Sequence, residues 1–314
     1  MVSLVVATML APLAPRPLVV AYVPNWIEDF TAYTATIDYS KVTHLNIAFE
    51  NPVDDEGNLS FNDPDTALID QAHAKGVKVL VSLGGGGASA NPDAMKRYFL
   101  LLSPSRRPGF VQKLTEYVRV HNLDGIDIDL EGPSINGDYD AFVTGLGKAL
   151  KTNGKLLTAS LSKGYGGENV PKSSFAAFDF VNIMAYDATG PWAPNRPGQH
   201  SSFAFAKESV DYWLERGLPK AKTVLGLPFY GYGFTEGGKS EEWPYSRIVT
   251  TYPGSESLDQ TGNTIWYNGI PTIKAKSKYV LDQGLAGVMI WALNHDAPGD
   301  KSLLNAIDAV LRRP

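Results

Sequence analysis

The sequence has no cysteine in its 314 residues, so disulfide bonds, thiolate metal ligands and thiol nucleophiles are excluded. It also lacks any long run of basic residues, and its formal net charge is −5. Proteins that bind nucleic acid neutralise phosphates with lysine and arginine, so we expect no nucleic-acid partner. The sequence has no spacing of histidine and carboxylate residues typical of a metal site, and we expect no metal and no other cofactor.

Long apolar segments are missing as well. The longest candidate is the run Met1–Ala14, which is too short to span a bilayer, so we expect no stable association with a membrane. The run resembles the hydrophobic part of a signal peptide, although the basic residues that normally precede it are absent. We interpret residues 1–16 as a signal-peptide remnant, with an N-terminal arm as the alternative, and expect a secreted or periplasmic protein.

The remaining sequence alternates short apolar segments with helical patterns. The composition is 44% hydrophobic and 19% charged, which is ordinary for a globular domain. Because strands that alternate with helices form parallel sheets, and eight units suffice to close one, we predict an α/β fold, a (β/α)8 TIM barrel over residues 17–314. We expect it to act as a monomer. The predicted strands are Leu18–Val23, Val42–Phe49, Val77–Leu83, Gly125–Leu130, Leu156–Leu161, Phe178–Ala185, Thr223–Leu227 and Gly287–Trp291.

The longest stretch without a periodic pattern is Gly231–Ile270, between the seventh and eighth predicted strands. We interpret it as a short irregular insertion over the mouth of the barrel. No low-complexity segment or Pro/Ser-rich linker divides the chain, so the sequence predicts a single catalytic domain.

The fourth predicted strand carries the most informative pattern, LDGIDIDLEG over residues 123–132. Strand periodicity places Asp127, Asp129 and Glu131 on one face. Carboxyl groups two residues apart on a strand lie roughly 6.5–7 Å from each other, so in a buried site they resist ionising together. A solvated acidic strand face is the alternative, but a parallel strand in a barrel has no solvated face.

Of the three acids, Glu131 is the outermost at the carboxyl end of the strand, where barrel enzymes place their chemistry. A carboxyl group whose pKa is raised by burial and by neighbouring charges can serve as a general acid near neutral pH. The pattern therefore predicts Glu131 as a proton donor.

This segment resembles glycoside hydrolase family 18, the chitinases and their relatives, whose motif DGxDxDxE it matches in full. Further family patterns occur in order along the chain. They are a tyrosine ending the first strand (Tyr22), an Ala-Phe pair ending the second (Ala48, Phe49), SxGG after the third (Ser82, Gly84, Gly85), MxYD after the sixth (Met184, Tyr186, Asp187) and a tryptophan ending the eighth (Trp291). The resemblance covers about residues 18–311.

The resemblance implies retaining, substrate-assisted hydrolysis of β-1,4-linked N-acetylglucosamine polymers, that is, chitin and chitooligosaccharides. It makes Glu131 the general acid/base, Asp129 and Tyr186 the groups that orient the substrate's acetamido group, and Asp127 a proton or hydrogen-bond partner of Asp129. It also implies cis peptide bonds at Ala48–Phe49 and Trp291–Ala292. The substrate-binding residues that it implies are Tyr22, Ser82, Gly84, Met184, Asp187 and Trp291.

Two other functions fit the same motifs. An endo-β-N-acetylglucosaminidase that acts on N-glycan cores uses the motif with different loops. A non-catalytic chitin-binding lectin has the fold without the proton donor, whereas Glu131 is present here.

Residues outside the motifs complete the prediction. We interpret Trp213 as a core residue, and Asp124, which falls on the opposite strand face from the acids, as a structural residue that bonds backbone. Four tryptophans in predicted loops are candidate sugar platforms, namely Trp26, Trp192, Trp243 and Trp266.

Overall fold

The computed structural model describes residues 16–235, 240–262 and 264–312. The predicted N-terminal segment therefore lies outside the described residues except for Arg16. The strands within the described ranges are β1 (Leu18–Pro24), β2 (His44–Ala48), β3 (Lys78–Gly84), β4 (Gly125–Asp129), β5 (Leu156–Ser162), β6 (Phe180–Met184), β7 (Thr223–Pro228), β8 (Tyr230–Phe234), β9 (Ser240–Pro244), β10 (Gln260–Thr261), β11 (Ile265–Trp266) and β12 (Gly287–Trp291). The α-helices are α1 (Phe30–Thr34), α2 (Asp65–Ala74), α3 (Gly85–Ala90), α4 (Pro92–Leu102), α5 (Arg107–Val120), α6 (Tyr139–Thr152), α7 (Phe203–Glu215), α8 (Tyr245–Thr251), α9 (Ile270–Gln283) and α10 (Leu303–Leu311).

Eight parallel strands close into a barrel in the order β1, β12, β7, β6, β5, β4, β3, β2. The closure is made by β1, which pairs with both β2 and β12. Each of these strands coincides with a predicted strand to within two residues at either end. The prediction of a (β/α)8 barrel is confirmed.

The apolar residues form two separate layers. The larger cluster lies between the strands and the surrounding helices, and it includes Ile126, Ile128 and Leu130 of the acidic segment. A smaller cluster fills the barrel interior and includes Tyr22, Tyr186 and Met289. Because side chains alternate along each strand, the face that does not meet the helices points into the barrel. The carboxyl-bearing face of β4 is that inner face.

The stretch Gly231–Ile270 differs from the prediction of an irregular insertion. Strands β8–β11 form a small antiparallel sheet in the order β10, β11, β8, β9, with α8 between β9 and β10. Strands of two to five residues are too short to show a periodic apolar pattern. Glycine also allows these strands to approach closely, since a Cβ on Gly231 would lie 2.3 Å from the carbonyl oxygen of Trp266 on the neighbouring strand. In the described part of the chain, no helix is long and apolar enough to cross a membrane.

Candidate active site

A cleft of about 1240 Å³ opens at the carboxyl ends of the barrel strands, and its walls include Asp129, Glu131 and Tyr186. Asp127 and Asp129 lie inside the barrel on β4 and are buried. Glu131 follows two residues beyond the strand end and is partly exposed to the cleft. The alternation of the sequence thus produces a row of three carboxyl groups that runs from the barrel interior to the cleft.

Asp127 is the deepest of the three and accepts hydrogen bonds from four side chains. Its Oδ2 accepts from the hydroxyls of Tyr22 at 2.6 Å and Ser82 at 2.8 Å. Its Oδ1 accepts from Thr158 at 2.5 Å and from the amide of Asn182 at 3.4 Å. Burial raises the pKa of Asp127, while these hydrogen bonds act to lower it. Four donors therefore favour the carboxylate form at this position.

Asp129 has the opposite surroundings. Its Oδ1 atom is buried, and no atom of the described residues forms a hydrogen bond with it. Burial, followed by the charges of Glu131 and Asp127, raises the pKa of Asp129 well above its ordinary value. A carboxyl group without donors beside two other acids is stabilised by a proton. Asp129 is therefore the member of the row best placed to hold or share one.

Glu131 stands where the row meets the cleft. Burial, with a smaller contribution from the charge of Asp187, raises the pKa of Glu131 from 4.5 to about 7. Its backbone N–H donates to the hydroxyl of Ser89 at 3.2 Å, which fixes the chain just beyond β4. A carboxyl group with a pKa near neutrality, open to a cleft, has the properties of a general acid.

Tyr186 and Met184 come from the end of β6 and reach the same cleft. The hydroxyl of Tyr186 has one contact with a described polar atom, the Sδ of Met289 at 3.8 Å. Its ring packs edge to face against Tyr230, with the ring centres 6.0 Å apart. A phenol that is fixed by its ring and only weakly engaged at its hydroxyl is free to donate to a ligand.

Asp187 is held by residues that the sequence analysis did not select. Its Oδ1 accepts hydrogen bonds from the hydroxyls of Tyr230 at 2.5 Å and Tyr232 at 3.1 Å, both on β8. Its backbone N–H donates to Nδ1 of His200 at 3.4 Å. Asp187 adopts a positive φ of 64°, which turns the chain sharply after β6. The one sequence signal for these partners was the cluster of tyrosines in PFYGYGF, residues 228–234.

Aromatic rings line the rim of the cleft formed by β1, β2 and β12. Trp291 lies 5.4 Å from Tyr22 and 5.6 Å from Phe49, measured between ring centres, and stacks nearly parallel to Phe49. Trp26 continues the stack, 6.2 Å beyond Phe49, and is 63% exposed. All four rings line the cleft. Such a row offers flat apolar surfaces to the C–H faces of sugar rings.

Ser82 and Gly84, at the end of β3, contact the acidic residues of β4. Gly84 has φ 110°, and a Cβ at this position would lie 2.3 Å from the carbonyl oxygen of Asp129, so only glycine fits. Asn51 pairs with the backbone of Gly84 through two hydrogen bonds of 2.9 Å and 3.1 Å. Ser82 is fully buried and donates to Asp127, so its side chain lies behind the cleft wall. The role of Asn51 could not be predicted from the sequence, because Asn51 belongs to no motif.

Both cis peptide bonds implied by the resemblance, Ala48–Phe49 and Trp291–Ala292, are present. Asp124 also lies as predicted: its Oδ2 accepts from the backbone N–H of Val79 at 2.8 Å, on the outside of the barrel, and contacts Nε2 of His73 at 2.8 Å. Trp213 is fully buried, as predicted for a core residue.

The other loop aromatics divide into two groups. Trp192, in the loop after β6, is 58% exposed and lines the cleft. Trp243 and Trp266 lie outside the cleft lining, which corrects their interpretation as sugar platforms. Trp243 stacks under the guanidinium group of Arg247 and Trp266 packs against Phe234, because both belong to the antiparallel sheet.

Tyr165 was not predicted, although it is 58% exposed and lines the cleft beside Glu131. Its ring packs on Gly132, where a Cβ would lie 2.5 Å from the ring. Its signal was an aromatic residue within the glycine-rich loop after β5. Among the residues that the structure describes, no group of three or more histidine and acidic side chains is arranged to hold a metal ion.

A closed parallel barrel with a row of buried carboxyl groups that ends in an aromatic-lined cleft is the arrangement of a glycoside hydrolase. Comparison with known proteins gives the particular family. The model of glycosyl hydrolases family 18 matches residues 18–296. The chain belongs to this family and is a glycoside hydrolase of the chitinase type.

Several relatives resemble nearly the whole chain. The crystal structure of the family 18 chitinase ChiB of Flavobacterium johnsoniae is 39% identical in sequence, with a TM-score of 0.88 over 95% of this chain and 94% of that one. A chitinase from Bacteroides thetaiotaomicron is 28% identical, with a TM-score of 0.82 over 95% and 97% of the two chains. Chitotriosidase-1 of Mus musculus is 27% identical over 342 residues, covering 88% of this chain and 73% of that protein.

Proposed function

We propose that this protein hydrolyses the β-1,4 linkages of chitin and chitooligosaccharides with retention of configuration, and that Glu131 is the general acid/base. The observation that carries the proposal is the position of Glu131, a carboxyl group with a pKa of about 7 at the mouth of a cleft, above the buried Asp129 and Asp127. The names of the relatives, which are chitinases and a chitotriosidase, agree with this substrate class.

The surroundings of the other carboxyl groups favour the substrate as its own nucleophile. Asp129 has its pKa raised well above the ordinary range, which makes it a poor attacking carboxylate. Asp187 is engaged by two tyrosine hydroxyls. An enzyme nucleophile must be ionised and free to reach the anomeric carbon. The acetamido oxygen of N-acetylglucosamine supplies a nucleophile within the substrate, the mechanism known for this family.

In the first step, Glu131 donates its proton to the glycosidic oxygen while the acetamido oxygen bonds to the anomeric carbon and the glycosidic C–O bond breaks. The product is a cyclic oxazolinium ion. An oxygen of Asp129 accepts a hydrogen bond from the acetamido N–H, which the carboxyl group can do while it shares a proton, and the hydroxyl of Tyr186 donates to the acetamido oxygen. In the second step, the Glu131 carboxylate takes a proton from water, whose oxygen attacks the anomeric carbon and opens the ring. Two inversions at one carbon give net retention.

The aromatic rim supports the choice of a sugar polymer. Trp291 forms the floor on which the reacting sugar lies, with Tyr22 beside it. Trp26 follows β1 and Trp192 follows β6, three strands away around the barrel, and both are exposed in the cleft, as platforms for further sugars require. A cleft with platforms at two separate places fits an oligosaccharide that extends on either side of the cleaved bond.

Product analysis tests the proposal. Wild-type protein and Glu131→Gln are incubated with chitotetraose, cellotetraose and a high-mannose glycopeptide. We expect cleavage of chitotetraose with the β anomer as the first product, no cleavage of cellotetraose, and a loss of at least roughly 100-fold in rate for Glu131→Gln. Retained binding of chitotetraose by the variant is the control for folding. Cleavage of cellotetraose refutes substrate assistance, preferred cleavage of the glycopeptide core identifies an endo-β-N-acetylglucosaminidase, and binding without turnover identifies a lectin.

A further inference from the structure

A second pair of acids lies near the cleft but outside the catalytic row. Glu50 follows β2, and Asp65 is the first residue of α2. Both side chains are buried, with relative exposures of 2% and 0%. Burial raises the pKa of both carboxyl groups, and they lie within hydrogen-bonding reach of each other, a contact that acts to lower the pKa of Glu50 and to raise that of Asp65. Two buried acids rarely lie side by side, because each loses its hydration and needs other contacts to stabilise it.

The pair connects two loops of the barrel mouth. The side-chain amide of Asn25, just after β1, donates to Oε1 of Glu50 at 2.9 Å and reaches Oδ2 of Asp65 at 3.5 Å. The hydroxyl of Ser60 donates to Oε2 of Glu50. The amide of Asn62 donates to the backbone carbonyl of Asn25 at 3.0 Å. The loop after β1 is therefore joined to the loop between β2 and α2 through these acids.

Each loop carries an aromatic wall of the cleft immediately beside the pair. Trp26 follows Asn25, and Phe49 precedes Glu50. These two rings stack on each other and line the cleft. A change in the distance between the two loops thus changes the platform that the rings form. The acids themselves do not line the cleft, so they act on a ligand only through these neighbours.

Among the residues that the structure describes, no cation balances the pair. Within the described ranges, neither carboxyl group forms an ion pair with lysine, arginine or histidine. The titratable group that faces both acids is the phenol of Tyr117 on α5, whose hydroxyl donates to the carbonyl of Ser60 at 2.8 Å. Oδ1 of Asp65 is buried without a hydrogen-bond partner among the described atoms. A proton on Asp65 gives it an O–H that can donate to Glu50.

We propose that Asp65 is a positioning residue whose carboxyl group shares one proton with Glu50, and that this pair holds Trp26 and Phe49 in the arrangement that binds the distal sugars of a long oligosaccharide. The part concerning sugars rests on the proposed function. The part concerning the proton concerns the fold alone and is tested without substrate.

Thermal unfolding between pH 5 and pH 8.5 tests the shared proton. Burial, together with the neighbouring acid, raises the pKa of Asp65 to about 7, so the folded protein keeps a proton that the unfolded chain releases near pH 4. Stability therefore declines as the pH rises from about 4 to about 7, and the contribution of Asp65 is constant above that. In Asp65→Asn, an amide N–H can donate to Glu50 at every pH, and we expect a smaller decline of Tm between pH 5 and pH 7. The buried carboxyl groups outside the pair act equally in both proteins, so the difference isolates the pair of Asp65 and Glu50. Parallel profiles overturn the shared proton.

Kinetics test the positioning role with Asp65→Ala, Asp65→Asn and the control Asp70→Asn, an exposed acid on the same helix. We expect Asp65→Ala to raise KM for chitohexaose about five-fold, the ratio for about 1 kcal/mol of binding free energy, with less effect on kcat and on a chromogenic chitobioside. Asp65→Asn restores the wild-type KM. An equal effect on both substrates, or none, overturns the positioning role.

If Asp65→Ala does not fold, the KM of Asp65→Asn is compared with the wild-type KM above pH 7. We expect the KM of Asp65→Asn to stay constant while the wild-type KM rises. Absence of turnover in every protein refutes the proposed function and leaves the thermal test intact.

Discussion

The pH dependence of kcat/KM is the sharpest test of the role given to Glu131. A general acid must be protonated in the free enzyme, so kcat/KM falls as the pH rises through its pKa. Burial and the charge of Asp187 raise that pKa to about 7. We therefore expect an alkaline decline of kcat/KM with a midpoint near pH 7, and about a ten-fold loss for each further pH unit.

The raised pKa determines how much enzyme is active under mildly acidic conditions. At pH 6, a group with a pKa of about 7 is about 90% protonated, whereas at the ordinary value of 4.5 it is about 3% protonated. The surroundings of Glu131 thus increase its protonated fraction roughly 30-fold at this pH. Burial is the larger cause, so removing the charge of Asp187 recovers only part of the difference.

The assay follows chitotetraose cleavage by product separation from pH 4 to 9, because this signal does not depend on the ionisation of a chromogenic leaving group. In Asp187→Asn, we expect the midpoint to move to lower pH while remaining above 4.5, whatever the overall loss of rate. Asp211→Asn, an exposed acid on α7, is the control and keeps the wild-type midpoint. A wild-type midpoint at pH 5 or below refutes the assignment of Glu131 as an acid tuned by burial, and an unmoved midpoint in Asp187→Asn refutes the contribution of that charge.

Three further substitutions test the surroundings of the acids. Asp129→Asn should weaken both chitotetraose hydrolysis and binding of a thiazoline analogue of the oxazolinium ion, measured as kcat/KM and the inhibition constant; an unchanged inhibition constant contradicts the role of Asp129. Gly84→Ala should lower the free energy of unfolding, measured with denaturant, by about 2 kcal/mol or more, since its Cβ would lie 2.3 Å from the Asp129 carbonyl oxygen. The control Gly109→Ala, with open space around it, should be neutral or slightly stabilising. Equal free energies of unfolding for the two variants refute the steric argument. Tyr22→Phe should cost about 1–3 kcal/mol, because it removes a 2.6 Å donor from a buried carboxyl group; a loss below about 0.3 kcal/mol shows that other donors compensate.

The barrel could be predicted from sequence because its strands are short, apolar and separated by helices of regular period. The same reasoning failed in the antiparallel sheet β8–β11. Its strands have two to five residues and are stabilised by partners distant in sequence, as in the pairing of Ile265 with Gly233. Local periodicity does not report such partners. The misassignment of Trp243 and Trp266 followed, because residues in an assumed loop were expected to face the cleft.

Within the site, period-two alternation was enough to place Asp127 and Asp129 on the inner face of β4, with Glu131 two residues beyond the strand end in the same row. The groups that hold them were harder to find. Asn51 and His200 contact the site through backbone atoms of Gly84 and Asp187, and these contacts depend on how separate loops meet in space. A side chain that bonds backbone leaves no pattern in its own neighbourhood. For this reason the positions of the three acids could be predicted, whereas the residues that hold them could not.

The unequal distribution of hydrogen bonds along the row of acids explains how three neighbouring carboxyl groups can differ in their tendency to hold a proton. Four donors reach Asp127, and all of them favour its carboxylate. None of the described atoms donates to Oδ1 of Asp129, and burial, followed by the charges of Glu131 and Asp127, favours a proton there. The hydrogen bonds thus favour negative charge at the bottom of the row, and their absence favours protons toward the cleft. In the proposed mechanism, the row gains one negative charge beside the substrate when Glu131 gives up its proton, where the oxazolinium ion carries a positive one. The donors around Asp127, although remote from the cleft, therefore help set the charge that the reacting sugar meets.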